Sequence, residues 1–126
     1  MVGGKDMTYD EIKNLLSMTD DPAIKLEMVM DIGRQLLPAP RGAICSEITG
    51  CTSHVEICRS GNRFYGAADS AIVRGIVGIM IALVDGKTPE EIKKIDLMKL
   101  FSDLNINLGA GRLNGVNSMI RFLHNL

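Results

Sequence analysis

Apolar residues recur at helical spacing at both ends of the chain and alternate with polar ones in its middle. Ile12, Leu15 and Leu16 follow Thr8 and Glu11, whose spacing of three makes a capping box, and together they predict a short first helix ending before Asp20. Asp21 caps a second helix, Pro22 takes the first position, where a missing amide hydrogen costs nothing, and Ile24, Met28, Val29, Ile32 and Leu36 form its stripe. Pro38 and Pro40 stop that helix and stiffen the connector Leu37-Pro38-Ala39-Pro40. From about residue 44 to 67 the period falls to two. Ile44 and Ile48 before Gly50-Cys51, Val55 and Ile57 after it, and the turn Ser60-Gly61-Asn62 before Arg63 predict three antiparallel strands, with Cys51 at or near the tip of the first hairpin.

Asp69 is the expected N-cap of the next helix, whose residues 75–84 carry no charge. That run is well short of the roughly 20 residues a bilayer span needs, and Arg74 and Asp85 bracket it, so a buried core helix is expected, with Gly75 and Gly78 admitting a close backbone neighbour. Asp85-Gly86-Lys87 ends it, and Thr88-Pro89-Glu90-Glu91 starts another with a cap, a proline and a capping-box glutamate. One short helix is predicted from there through Met98, Leu100 and Leu104, and a last one through Val116, Met119, Ile120 and Leu123. The order of elements predicts an α+β fold in which helices cover one face of a small three-stranded antiparallel sheet and leave the other partly free, as one domain over residues 1–126.

Composition narrows the function. With 46% apolar and 23% charged residues the chain can bury a core, while a net charge of -1 and five aromatics argue against a phosphate-tracking groove or a base-stacking platform, so no nucleic-acid partner is expected. No membrane partner is expected either. Three cysteines, Cys45, Cys51 and Cys58, are an odd number at irregular spacing, which suits a reducing compartment better than a secreted disulfide framework. Residues 1–6 show neither the apolar core of a signal peptide nor an arginine-rich presequence, so a cytoplasmic location is expected.

Candidate chemistry centres on Gly50-Cys51-Thr52-Ser53-His54-Val55. A thiol on a turn can act as a nucleophile or sulfur carrier if reachable and partly ionised, and Gly50 permits backbone angles that thrust it outward; it can equally be a loop cysteine without a role. A Cys/His hydrolase, with His54 or His124 as base, lacks an evident third group to orient the histidine. A zinc or iron-sulfur scaffold would draw on Cys45, Cys51, Cys58 and His54, yet no Cys-x-x-Cys pair is present and strand alternation turns Cys58 away from the face of Val55 and Ile57. Gly109-Ala110-Gly111-Arg112, opening the last helix, could present amide hydrogens to an anion, though a lone Gly-x-Gly is usually a turn.

These residues resemble the SufE family (SufE/CsdE-like) of sulfur-acceptor proteins. Met30-Asp31-Ile32-Gly33-Arg34-Gln35-Leu36-Leu37-Pro38 is similar to the family's leucine-glycine and leucine-proline segment, and Gly50-Cys51-Thr52-Ser53-His54-Val55 to its Gly-Cys-x-Ser-x-Val signature. Asp69-Ser70-Ala71-Ile72-Val73-Arg74-Gly75, Gly86-Lys87-Thr88-Pro89 and Arg112-Leu113-Asn114-Gly115 follow in family order. The resemblance implies an IscU-like α+β fold. It also implies a non-enzymatic accessory role: Cys51 accepts persulfide sulfur from a pyridoxal-phosphate-dependent cysteine desulfurase (SufS/CsdA-like), activates it, and passes the sulfur to a downstream acceptor of iron-sulfur cluster assembly. Neither a metal nor a cofactor of its own is implied. Gly50, Ser53, His54, Asp69, Arg74, Arg112 and Asn114 are the implied supporting loop and partner surface, with Arg112 expected beside Cys51 as a cation favouring the thiolate. The thiol is expected to be partly sheltered at rest, since an exposed persulfide would be lost to other thiols. The chain departs from the family pattern at Glu56, where relatives often carry a large apolar residue, at Gly109 and Gly111, where small hydroxyl residues are common, and at His54, often glutamine.

Overall fold

The computed structural model describes residues 7–51 and 53–126, so the N-terminal segment read for targeting features, and Thr52 within the cysteine turn, lie outside the described residues. Among the described residues nine elements follow in order: α1 (Tyr9–Leu16), α2 (Pro22–Gly33), β1 (Ile44–Glu47), β2 (Val55–Ser60), β3 (Arg63–Ala68), α3 (Ala71–Val84), α4 (Pro89–Lys93), α5 (Leu97–Ser102) and α6 (Ala110–His124). The capping boxes at Thr8/Glu11 and Thr88/Glu91 both form, and Asp21 accepts from the amides of Ala23 and Ile24.

The sheet is antiparallel in the order β1-β2-β3. Its inner face carries Val55, Ile57 and Phe64 and is covered by α3, on which Val73, Ile76, Val77, Met80 and Val84 are buried. A methyl on Gly66 would strike Val77 and Ile81, so α3 rides directly over β3. On its far side α3 meets α2 through glycines. A Cβ on Gly75 would overlap the Val29 carbonyl, and one on Gly33 would press on the backbone of Arg74 and Gly75. Helix α6 closes the core with Val116, Met119 and Leu123.

Four expectations shift. Ser70 caps α3, its hydroxyl accepting from the Val73 amide at 3.4 Å, because the Asp69 amide is still donating to the His54 carbonyl at 3.3 Å as an extension of the sheet. Helix α2 ends at Gly33, ahead of the prolines, and tapers through Gln35 and Leu36 amides bonded to Ile32 and Gly33 carbonyls. The single helix expected after Thr88 is two, because Asp96 accepts from the Lys99 amide at 3.1 Å and starts α5 afresh. Leu97 and Phe101 are therefore buried where Met98 and Leu100 were expected to lead. Ile24 and Ile44 face outward, the latter 76% exposed, whereas Lys25 is buried and its ammonium reaches the carbonyls of Leu104 and Asn105 at 3.4 and 3.3 Å.

Candidate functional site

The β1–β2 hairpin closes with the Ile48 amide donating to the Val55 carbonyl at 2.9 Å, and the chain between them reaches across to α6. Gly50 has φ +89°, a conformation L residues seldom adopt, and a Cβ there would overlap the Ser118 hydroxyl. Ser118 is held in turn, donating to the Asn114 carbonyl at 3.0 Å. One residue on, the half-buried Cys51 thiol points at the Gly115 carbonyl, 3.9 Å away, and a Cβ on Gly115 would come within 3.4 Å of the sulfur. Gly111, Gly115 and Ser118 thus form a small-residue seat on one face of α6. That i, i+4, i+7 spacing is visible in the sequence, although Gly115 and Ser118 were not among the expected site residues.

A narrow cleft beneath the sulfur is lined by Val73, Ile76, Gly111, Arg112, Gly115 and Met119. Arg112 borders the cleft, but burial pushes the Cys51 thiol above its ordinary value, opposite in sign to the effect expected of a cation. In this conformation the thiol is protected rather than activated. Asn114 sits one residue before Gly115, and Asp69 is tied by its backbone to the end of the cysteine turn. Arg74 spends its Nε on the Ala68 carbonyl at 3.1 Å. The Ser53 hydroxyl is buried with no hydrogen-bond partner among the described residues.

Neither histidine serves the thiol. His54 Nδ1 lies 3.2 Å from the Glu47 carboxylate, and His124 Nε2 lies 3.0 Å from the Ile95 carbonyl. A Cys/His hydrolase therefore has no base in place. The scaffold reading fails differently: Cys45 and Cys58, directly paired across β1 and β2 with Cα atoms 3.9 Å apart, are joined in a disulfide. The cluster of ligand-type side chains that they form takes in Glu56 and leaves out Cys51. Their joining departs from the expectation of a reducing compartment without a disulfide framework, and it leaves Cys51 as the free cysteine. A larger concavity, among Tyr9, Ile32, Leu36, Ile81 and Asp85, lies away from Cys51. Among the described residues no helix is long and apolar enough to cross a membrane.

Comparison with known proteins bears on the fold and the family. A solution structure of a hypothetical protein from Thermus thermophilus superposes with a TM-score of 0.67 over 94% of each chain at 15% identity, which establishes a shared fold. An uncharacterized SufE-like protein of Rhizobium meliloti (strain 1021) is 31% identical over 90% of each chain. The sulfur acceptor protein CsdE of Escherichia coli (strain K12) is 28% identical over 92% of this chain and 85% of its own. Residues 10–126 match the family model described as SufE, Fe-S metabolism associated domain, and the chain belongs to the SufE family.

Proposed function

We propose that this protein is a sulfur carrier in which Cys51 accepts sulfur from a cysteine desulfurase of the SufS/CsdA type, stimulates that enzyme by unloading it, and hands the sulfur to a downstream acceptor in iron-sulfur cluster assembly. The Cys51 thiolate attacks the outer sulfur of the donor's cysteine persulfide. A new sulfur-sulfur bond forms on Cys51, the donor's own bond breaks, and the donor cysteine leaves as a thiolate. Such a transfer needs an accessible, ionisable thiol and no matched base or metal of its own; the pyridoxal phosphate belongs to the donor.

The observation that carries the reading is the way Cys51 is held, as a free thiol on a glycine-hinged turn resting on small residues of α6, with both histidines engaged elsewhere. A thiol stored this way is withheld from stray thiols at rest and released when a partner lifts the turn, which suits a carrier better than a hydrolase. Arg112, which lines the cleft, and Asn114, Asp69 and His54 are the proposed partner-facing residues, with Gly50 and Ser53 shaping the turn. Arg74 contributes from the sheet end. The proposed setting is the cytoplasm, whose small thiols would meet the Cys45–Cys58 disulfide and keep Cys51 a thiol. The relative from Escherichia coli, described as a sulfur acceptor, supports the same class of role.

The test is direct. With a cysteine desulfurase, pyridoxal phosphate and cysteine, the wild-type protein should stimulate sulfide release and gain sulfur by intact mass, and Cys51→Ser should do neither while keeping its fold. Full stimulation by Cys51→Ser would overturn the proposal.

A further inference from the structure

The outer face of the sheet carries a second sulfur site, apart from the cleft under Cys51. Cys45 on β1 and Cys58 on β2 are directly opposed, and their disulfide bridges a sequence separation of 13 that encloses the whole Cys51 turn. The two sulfurs are not equivalent: Cys45 is exposed, whereas Cys58 is 2% exposed. Beside the buried one stands Glu56, its Oε1 3.8 Å from Cys58 Sγ.

We propose that Cys45 and Cys58 form a thiol–disulfide exchange site for small aliphatic thiols, entered at Cys45, whose state sets how freely the Cys51 turn leaves α6. A thiolate reaches the disulfide only from the Cys45 side, because in-line attack needs an open approach to the sulfur being struck. Its sulfur bonds to Cys45 Sγ, the Cys45–Cys58 bond breaks, and Cys58 leaves as a thiolate and takes a proton from solvent. A second thiol then attacks the mixed disulfide on the incoming sulfur, freeing Cys45 as a thiol. The net reaction converts two small thiols and the protein disulfide into one small disulfide and two protein thiols. Glu56 is a positioning residue here: its carboxylate opposes charge developing on Cys58 and can accept a hydrogen bond from the Cys58 thiol once formed. It slows departure of Cys58 in reduction and, equally, its attack in reoxidation. The bond closes the stem of the hairpin, so opening of the turn is restricted while the pair is joined and freer once it is reduced. None of this depends on Cys51 carrying sulfur.

Full-length Cys51→Ser protein, which keeps only the pair, tests the exchange. It would be equilibrated in mixtures of glutathione and glutathione disulfide, quenched in acid, alkylated and weighed. The expected course runs from no label to two labels as the thiol share rises, through a species with one glutathione on Cys45. In native protein, Cys58→Ser should still take glutathione on Cys45, whereas Cys45→Ser should leave Cys58 unmodified. Glu56→Gln should speed exchange in both directions on the order of threefold, and Glu56→Asp should restore the slower rate. In the wild-type chain Cys51 should alkylate faster with the pair reduced than with it joined. Two labels under every mixture, or equal reaction of Cys45 and Cys58 in the single variants, would overturn the exchange site. Equal Cys51 alkylation in the two states would overturn its coupling to the turn.

Discussion

Gly50→Ala isolates what holds the Cys51 turn on α6. Two costs fall on the alanine. At φ +89° its backbone is strained by about 1 to 3 kcal/mol whatever surrounds it, and its methyl would also overlap the Ser118 hydroxyl, which its bond to the Asn114 carbonyl prevents from turning away freely. The turn escapes both by lifting off α6, and lifting exposes Cys51. Because each 1.4 kcal/mol is a factor of ten, the dihedral strain alone should raise the exposed fraction by roughly 5- to 150-fold and the overlap should raise it further, up to the ceiling set by an unhindered thiol. Native-state alkylation of Cys51 reads that fraction, with a thermal melt in parallel to separate local lifting from global loss. Adding Ser118→Ala removes the overlapping oxygen and leaves the Ser118 Cβ, 3.5 Å from the new methyl, as an ordinary contact, so the double variant should recover the steric part of the cost and keep the dihedral part. Wild-type alkylation by Gly50→Ala, or no recovery in the double variant, would refute docking of the turn on Ser118.

Other consequences follow from burial and from the helix crossing. Since burial raises the Cys51 pKa, the docked turn should be unaffected below the ordinary thiol value of about 8.5 and weaken as pH rises through it toward the raised value. The pH profile of alkylation in the wild type should then lie to higher pH than that of Gly50→Ala, and a profile at or below that of a free peptide thiol would contradict it. Gly75→Ala drives a methyl into the Val29 backbone and should cost about 3 kcal/mol or more, a fall in Tm on the order of 10 °C by thermal melt. Gly78→Ala is tight only against the Ile32 side-chain methyl at 3.1 Å, with the Ile32 carbonyl and Leu36 at an ordinary 3.7 Å, and gains helix propensity of up to about 1 kcal/mol, so its Tm should stay near wild type.

The fold was legible where a local signal and burial agree. The capping boxes at Thr8 and Thr88, the proline after Asp21 and the uncharged core of α3 each say the same thing as the packing that surrounds them. Legibility failed where two polar groups compete for one role. Asp69 and Ser70 are both good caps, and only the bond from the Asp69 amide to the His54 carbonyl keeps Asp69 in the sheet. Asp96 falls inside the stretch expected to be one helix, yet its carboxylate caps a new helix there. The disulfide was within reach: pairing Ile48 with Val55 across the turn sets Cys45 opposite Cys58, and a register count would have joined them. The seat on α6 was harder to see, because Gly115 and Ser118 matter through what approaches them rather than through chemistry of their own.

The position of transferred sulfur tests the central claim most directly. Cys45, Cys51 and Cys58 all lie between Arg41 and Arg59, so a single tryptic peptide carries all three and fragment ions must decide among them. After incubation with a cysteine desulfurase, pyridoxal phosphate and cysteine, trapping with an alkylating reagent and fragmentation of that peptide should place the single added sulfur atom on Cys51, with none on Cys45 or Cys58; a whole cysteine joined to Cys45 is the exchange intermediate and differs from it in mass. A single added sulfur atom on Cys45 or Cys58 in the wild type, or unchanged loading of Cys51→Ser with such an atom, would contradict the assignment of Cys51 as the acceptor.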